Sequence, residues 1–412
     1  MRRLIPLVIL VVLAAGWGIS LAVSVNAVER ARSLTWPLQL GRLRDVPARF
    51  PRRNASAAAL ALGPLEARLG IRLDRQDKRP ATAEERAFSL VKNPLSDYLA
   101  LQLTRPNDFR DPAPVGVSTF LLDHRQDIDA LRAHLLANGA AIEWQTDVAR
   151  LEYAPLPNLL AHMSVERLLV ADALQLSRSA EAWEDLHAAW ILTRPLFRRP
   201  ETISQLIAIA TTRYILGGSR KLSGPAPAWL AEIRAVDATR SMIAADQADA
   251  WIAVQSLPYL DTSSRVTRVV IVLLRPMLNA FAADLATREC EIATHLVAVR
   301  GCAFDGVDYD RRTKAAIRDP STYARKVLPP WGSSWQRVLR IRVESELTMK
   351  TLELKARGWP PSAPDLLSSE CTDGVWRYAD GSLQFSRELP PITGAFTPLR
   401  YSRDATPSRT TP

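Results

Sequence analysis

The chain has 412 residues, of which 47% are hydrophobic, with 53 basic against 43 acidic side chains, a net charge of +10 and a pI near 9.8. That apolar content excludes a disordered chain and predicts one large folded domain or two modest ones. Only seven of the basic residues are Lys. The Arg-rich surface suits anionic lipid or another polyanion, but no nucleic-acid-binding motif is present, so nucleic acid is not an expected partner.

Leu4 to Val25 is a run of 22 residues without a charge, preceded by Arg2 and Arg3. As a helix rising 1.5 Å per residue it is long enough to cross a hydrocarbon core of about 30 Å. A cleaved signal peptide has a shorter apolar core, although Ser20-Leu21-Ala22 or Val25-Asn26-Ala27 fits a cleavage site. The expectation is therefore an uncleaved anchor bounded by Leu4 and Val25, with residues 1–35 forming anchor and stalk. Arg2 and Arg3 favour a cytoplasmic N-terminus, Arg30, Arg32, Arg42 and Arg44 pull the other way, and long domains translocate largely regardless of charge. This predicts a single-pass membrane protein with its body outside the cytoplasm. A second apolar stretch, Val266 to Ala283, contains Arg268 and Arg275. A charge near the bilayer centre costs about 2.5–3.5 kcal/mol, so this stretch reads as a buried soluble helix.

Residues 36–80 are rich in Pro and Arg and read as a linker with one or two short helices, broken at Gly63-Pro64. Arg42, Arg44, Arg49, Arg52 and Arg53 follow the membrane exit and suit headgroup contact. A helical domain is expected over 81–332. Thr82 caps a helix starting at Ala83, with Glu84 and Glu85 in its first turn. Ser118–Ala137 forms another, stopped by Asn138-Gly139 as a left-handed C-cap. Asn158–Leu176, Ala180–Leu196 and Glu201–Leu216 read as three successive helices ended by Gly217-Gly218, with Trp183, Leu186 and Trp190 at helical spacing. Further helices are expected at Ala228–Ala235, Ala238–Leu257, Val266–Arg275, Leu278–Val299 and Ser334–Ala356. The fold class is mainly α: an N-terminal transmembrane helix, an irregular antiparallel array resembling an α-solenoid, and a small C-terminal β-hairpin.

That hairpin lies in the segment 333–389, after a long helix. Val375–Ala379 and Ser382–Phe385 flank Asp380-Gly381, a pair able to supply the positive φ values of a tight turn. Residues 390–412 read as a flexible tail. Between helix and hairpin stand Gly358-Trp359-Pro360 and the closing Leu366-Leu367. This phrase resembles the C-terminal element of a group of uncharacterised bacterial single-pass, membrane-anchored, mostly helical proteins. Pseudopilins carry a similar Gly-aromatic-Pro element directly after their long N-terminal helix, whereas here about 300 residues intervene. In the uncharacterised group the element follows a helical body with a phrase like Thr202-Ile203-Ser204-Gln205-Leu206. The resemblance implies an envelope location and carries over no catalytic residue.

Chemistry-bearing patterns are few. His162 and Glu166 share a helix face, and Glu184 with His187 has the Glu-x-x-His spacing of di-iron bundles, which need two such motifs and two more Glu. Only one is present, so His187 reads as a packed histidine. Asp305, Asp308 and Asp310 lack calcium-loop spacing and read as a salt-bridged loop. Asp123 and His124 are adjacent on a helix and point about 100° apart, so they do not face each other. There is no G-x-S-x-G, H-E-x-x-H, phosphate loop or dinucleotide fingerprint. No catalytic, cofactor-binding or metal-binding residue is therefore assigned. Three cysteines permit one disulfide in an oxidising compartment: Cys290 with Cys302 is the nearest pair, Cys302 with Cys371 would tie the C-terminal segment to the body, and spacing does not choose.

The leading expectation is a membrane-tethered periplasmic scaffold, with the lipid bilayer and cell-envelope proteins as partners and no cofactor. An envelope hydrolase would require His162–Glu166 and Glu184–His187 to converge in one cleft. An accessory role in a secretion or pilus-like system rests on Gly358-Trp359-Pro360.

Overall fold

The computed structural model describes residues 4–72, 80–148, 159–176, 178–256, 265–299, 301–302, 304–316, 330–389 and 399–403. The chain is mainly helical with a small antiparallel sheet near its end. Helix α1 (Leu4–Arg32) is followed by three short helices, α2 (Val46–Arg49), α3 (Ala57–Leu60) and α4 (Leu62–Arg68). Parts of the stretch expected as a linker are packed into the protein. Trp36, Leu40, Leu43 and Val46 are buried in one core, and Leu62, Leu69 and Ile71 in another. Gly63-Pro64 does not break a helix. It lies in the first turn of α4, where Pro's missing N–H has no helical partner to lose.

The body comprises α5 (Ala83–Thr104), α6 (Val115–Asp123), α7 (Arg125–Asn138), α8 (Leu159–Gln175), α9 (Ser179–Thr193), α10 (Thr202–Lys221), α11 (Leu230–Ala235) and α12 (Ala238–Ser256). Thr82 starts α5 as expected: its hydroxyl accepts from the Glu85 N–H at 3.2 Å, and the Glu85 carboxylate accepts from the Thr82 N–H at 3.0 Å. The helix expected over Ser118–Ala137 is two helices that meet at His124. Gly139 is not a left-handed cap; its φ is −57° and a 3₁₀ turn continues through it. A Cβ there would come within 2.8 Å of the Ile191 side chain, so glycine serves close packing of α7 on α9.

Gly217-Gly218 likewise does not end a helix. Both sit inside α10, which packs against α5, α8, α9 and α12. A Cβ on Gly217 would lie 1.7 Å from Leu103 Cδ2, and one on Gly218 would lie 3.2 Å from Leu186 Cδ2. The pair removes side chains where two neighbouring helices press closest.

Helix α13 (Arg265–Ala298) is continuous through Pro276, where two helices were expected. Its contacts with α1 and the residues just after it advance in step: the Trp17 indole donates to the Leu273 carbonyl at 3.1 Å, Asn279 to the Ser24 hydroxyl at 3.3 Å, and the Cys290 thiol to the Thr35 carbonyl at 3.6 Å. The two helices therefore run parallel. Helix α14 (Gly306–Ala316) and the long α15 (Trp331–Arg357) complete the helical part. α15 is shared by all three apolar cores, through Trp331, Trp335 and Leu339 near its start, Val338 and Ile341 in its middle, and Val343, Leu347 and Leu354 toward the sheet.

Gly358, at φ 102°, ends α15 in a conformation only glycine adopts freely. Strands β1 (Trp376–Ala379) and β2 (Ser382–Phe385) form the expected hairpin, with Asp380 and Gly381 at φ 49° and 69°. A third strand, β3 (Arg400–Ser402), pairs with β2 inside the stretch expected to be a loose tail; residues 390–398 and 404–412 lie outside the described residues.

Candidate functional site

Two features stand out, an apolar blade and a groove. The blade is formed by α1 and the first half of α13. On α1, Trp17, Leu21, Ser24, Val28 and Ala31 recur at alternating spacings of four and three, and Trp17 and Ser24 of this stripe bond to α13. Apart from Ser20, the rest of its surface from Val11 to Val25 is apolar and exposed, Val12 by 62%. Toward its end, Val28 and Ala31 enter the same core as Trp36, which roots the helix in the body.

On α13, Val269, Val270, Val272, Leu273, Leu274 and Met277 are exposed, Leu273 by 61%. The expected buried soluble helix is thus corrected: burial begins near Asn279, and the N-terminal half projects beside α1 with its apolar side chains uncovered. Both helices are long and apolar enough to cross a membrane. Pro276 removes the N–H that would pair with the Val272 carbonyl, and beside this weakened turn the Trp17 indole reaches α13.

The groove, of about 730 Å³, lies between the middle of α15, the α11–α12 turn and residues 364–370. Its floor is apolar, with Trp190, Phe197, Ile341 and Met349. Its polar walls are largely tied together. Lys350 donates to the Asp365 and Leu367 carbonyls at 2.7 and 2.9 Å, Glu346 accepts from the Ser368 hydroxyl and the Ser369 N–H at 2.7 and 2.8 Å, and Arg342 pairs with Glu370 at 2.9 Å. Exposed Arg234, Asp237 and Glu353 add charge of both signs at the rim. Such a trough offers shape and apolar floor area more than a concentrated charge.

Neither His–Glu pair opens on this groove. His162 and Glu166 do meet another acid: His162 Nδ1 lies 3.2 Å from Glu66, while Glu166 accepts from the Thr193 hydroxyl at 2.8 Å. All of these side chains are sealed in the core, His162 beneath the Trp144 ring. Burial, reinforced by the charge of Glu66, pushes Glu166 well above the usual carboxylate range despite the Thr193 hydrogen bond. His187 instead stacks flat on Trp229 at 5.0 Å, and burial lowers its pKa. Glu184 is exposed beside Arg132. The convergence that a hydrolase required is not formed.

The acidic run 305–310 is a pair of helix caps. Asp305 accepts from the Asp308 N–H at 2.9 Å at the start of α14, while Asp310 accepts from the Gly332 and Ser333 N–H groups at 2.6 and 3.0 Å at the start of α15. Asp308 pairs with Arg311 and Arg312 as expected, but these pairs lie within helix α14 and not in a loop. Asp123 does not orient His124, whose nearer acid is Asp127 at 3.6 Å.

The disulfide joins Cys302 to Cys371, not Cys290 to Cys302, and holds the residues after α13 to the start of the sheet. Cys290 is a buried free thiol, which burial raises to about 11. Among the described residues, the ligand-type groups that come together are Cys302, Cys371 and Asp373, and the two sulfurs are committed to each other.

Ionic clusters that no local pattern announced lie in the body. Glu344 of α15 accepts from Arg213 Nε at 2.9 Å and Arg340 Nε at 2.8 Å, with Arg220 beside it and bonded to Thr348 at 2.7 Å. Burial alone would raise Glu344, but Arg213 and Arg340 hold it below the usual range. Asp172 and Asp185 face each other between Arg125 and Arg132; burial and then the charge of Asp172 raise Asp185 to about 8. The chain matches no protein family, no curated protein and no solved structure.

Proposed function

We propose that this protein is a membrane-tethered helical scaffold of a bacterial envelope, with α1 in the inner membrane and the body on the periplasmic side. The reading is carried by one observation: α1 leaves the body with its apolar surface uncovered while its last turns are packed into a core. The Cys302–Cys371 bond supports an oxidising compartment. The groove along α15 is the surface this scaffold offers to a protein partner, because its apolar floor and self-paired walls suit an extended or helical segment more than a small ion.

Two measurements test the proposal. The full chain partitions with alkaline-washed membranes at its full mass; recovery of a polypeptide trimmed near Ala27 from the soluble fraction overturns the tether. A photo-crosslinking residue replacing Glu353 at the groove rim captures a reproducible envelope protein, while the same residue replacing exposed Leu90 does not. Equal, unspecific capture at both positions overturns the partner role.

A further inference from the structure

The parallel register of α1 and α13 has a geometric consequence if α1 spans a bilayer. A core of about 30 Å takes up about 20 residues of helix, nearly the whole Leu4–Val25 run. Leu273 is level with Trp17, which lies about 20 Å along α1 from Leu4 and so about 10 Å inside the outer edge of that core. Val269 is one turn deeper, and Asn279 is level with Ser24 at the outer edge. The residues exposed on α13 are the apolar ones in this interval, and burial against the body takes over near Asn279.

We propose that the first half of α13 is a second membrane-embedded helix, packed against α1 with its Val and Leu side chains in lipid. The proposal rests on α1 being the anchor, and its occupant is the hydrocarbon of the same bilayer. The surface is continuous with that of α1, and α13 cannot stay level with Trp17 without entering the layer that α1 occupies. Arg275 is level with Ile19, close enough to the outer interface for a long side chain to return its charge to the headgroups. By the same register the backbone of Arg265 is level with Ile9 and that of Arg268 with Val12, near the middle of the core, so Arg268 carries an insertion cost that the packing of α13 on α1 has to offset. Trp17, whose indole would be unpaired in lipid, is satisfied by the Leu273 carbonyl and joins the two helices at mid-depth.

The test uses the full chain carrying Cys290→Ala, reconstituted into vesicles of phosphatidylcholine and phosphatidylglycerol, with spin labels placed singly at Val12→Cys, Leu273→Cys and Leu90→Cys. Collision with oxygen, which concentrates in lipid, is compared with collision with a water-soluble nickel chelate. The expected result is that position 273 behaves like position 12, with the nickel effect lost, while position 90 retains it. A label at Val269→Cys should read deeper than one at Met277→Cys. Nickel access at 273 with none at 12 overturns the proposal and leaves the anchor standing. Nickel access at both positions overturns the anchor and this inference together.

Discussion

α10 and α13 are both long helices with apolar runs and several arginines, yet they are built in opposite senses. α10 buries nearly everything, including Arg220 and Lys221, and burial lowers those two to about 10 and about 8. Its charges are retained because Glu344, Thr348 and the carbonyls of Asn107 and Phe109 receive their protons. α13 leaves Val269, Leu273 and Met277 uncovered, and at its seam with α1 the Leu273 carbonyl accepts from the Trp17 indole. The comparison teaches that apolar content does not distinguish a core helix from a membrane helix. What distinguishes them is which side chains the neighbouring elements leave uncovered.

Variants can break or sharpen this contrast. The largest loss is expected from Glu344→Ala, which takes the shared carboxylate from buried Arg340 and half-buried Arg213 and should cost about 3–5 kcal/mol. Urea unfolding of the detergent-solubilised chain measures it, and a loss below about 1 kcal/mol would remove this cluster from the account of how α10 is held to α15. Next comes Cys371→Ser, which frees the 69-residue separation closed by the disulfide and should cost about 2–4 kcal/mol in the same assay. Gly217→Ala pushes a methyl group into Leu103 and should cost about 1–3 kcal/mol, more than Gly218→Ala, whose nearest neighbour is farther away.

A smaller effect concerns pH. Asp185 is raised to about 8 and Asp249 to about 6, in both cases chiefly by burial, so the folded state keeps protons that the unfolded chain releases near pH 4. Their contribution is full below that pH and is lost as pH rises toward 8. The thermal midpoint should therefore fall between pH 5 and pH 8, and Asp185→Asn should flatten the slope; a midpoint that rises over this range contradicts the assignment. The smallest change is expected on the blade, where Leu273→Ala should alter body stability in detergent by less than about 0.5 kcal/mol, since no core side chain packs over it.

Much of this architecture was legible where local chemistry decides the outcome. Thr82 with Glu85 starts α5, the periodicity around Trp183 and Trp190 marks α9, and Asp380-Gly381 turns the hairpin. What remained hidden depends on contacts distant in sequence. Gly217-Gly218 and Gly139 look like helix ends until Leu103 and Ile191 are seen pressing on them. Pro276 looks like a break, yet α13 continues because α1 lies along it. Residues 36–50 look like a linker because Pro and Arg are spread through them, yet Trp36, Leu40, Leu43, Val46 and Phe50 are buried. For the functional surfaces, the anchor run was readable and the groove was not, since its lining comes from five separate stretches.

The strand β3 carries a consequence for assembly. Tyr401 donates to Asp108 at 2.6 Å across a separation of 293 positions, the same carboxylate pairs with Lys355, and the Ser402 N–H reaches the Pro106 carbonyl at 2.6 Å. A ribosome adding residues in order makes the corner around Asp108 long before the strand that latches it. Until those last residues are made, the corner around Asp108 lacks the strand that closes it, so this flank is completed at the end of synthesis.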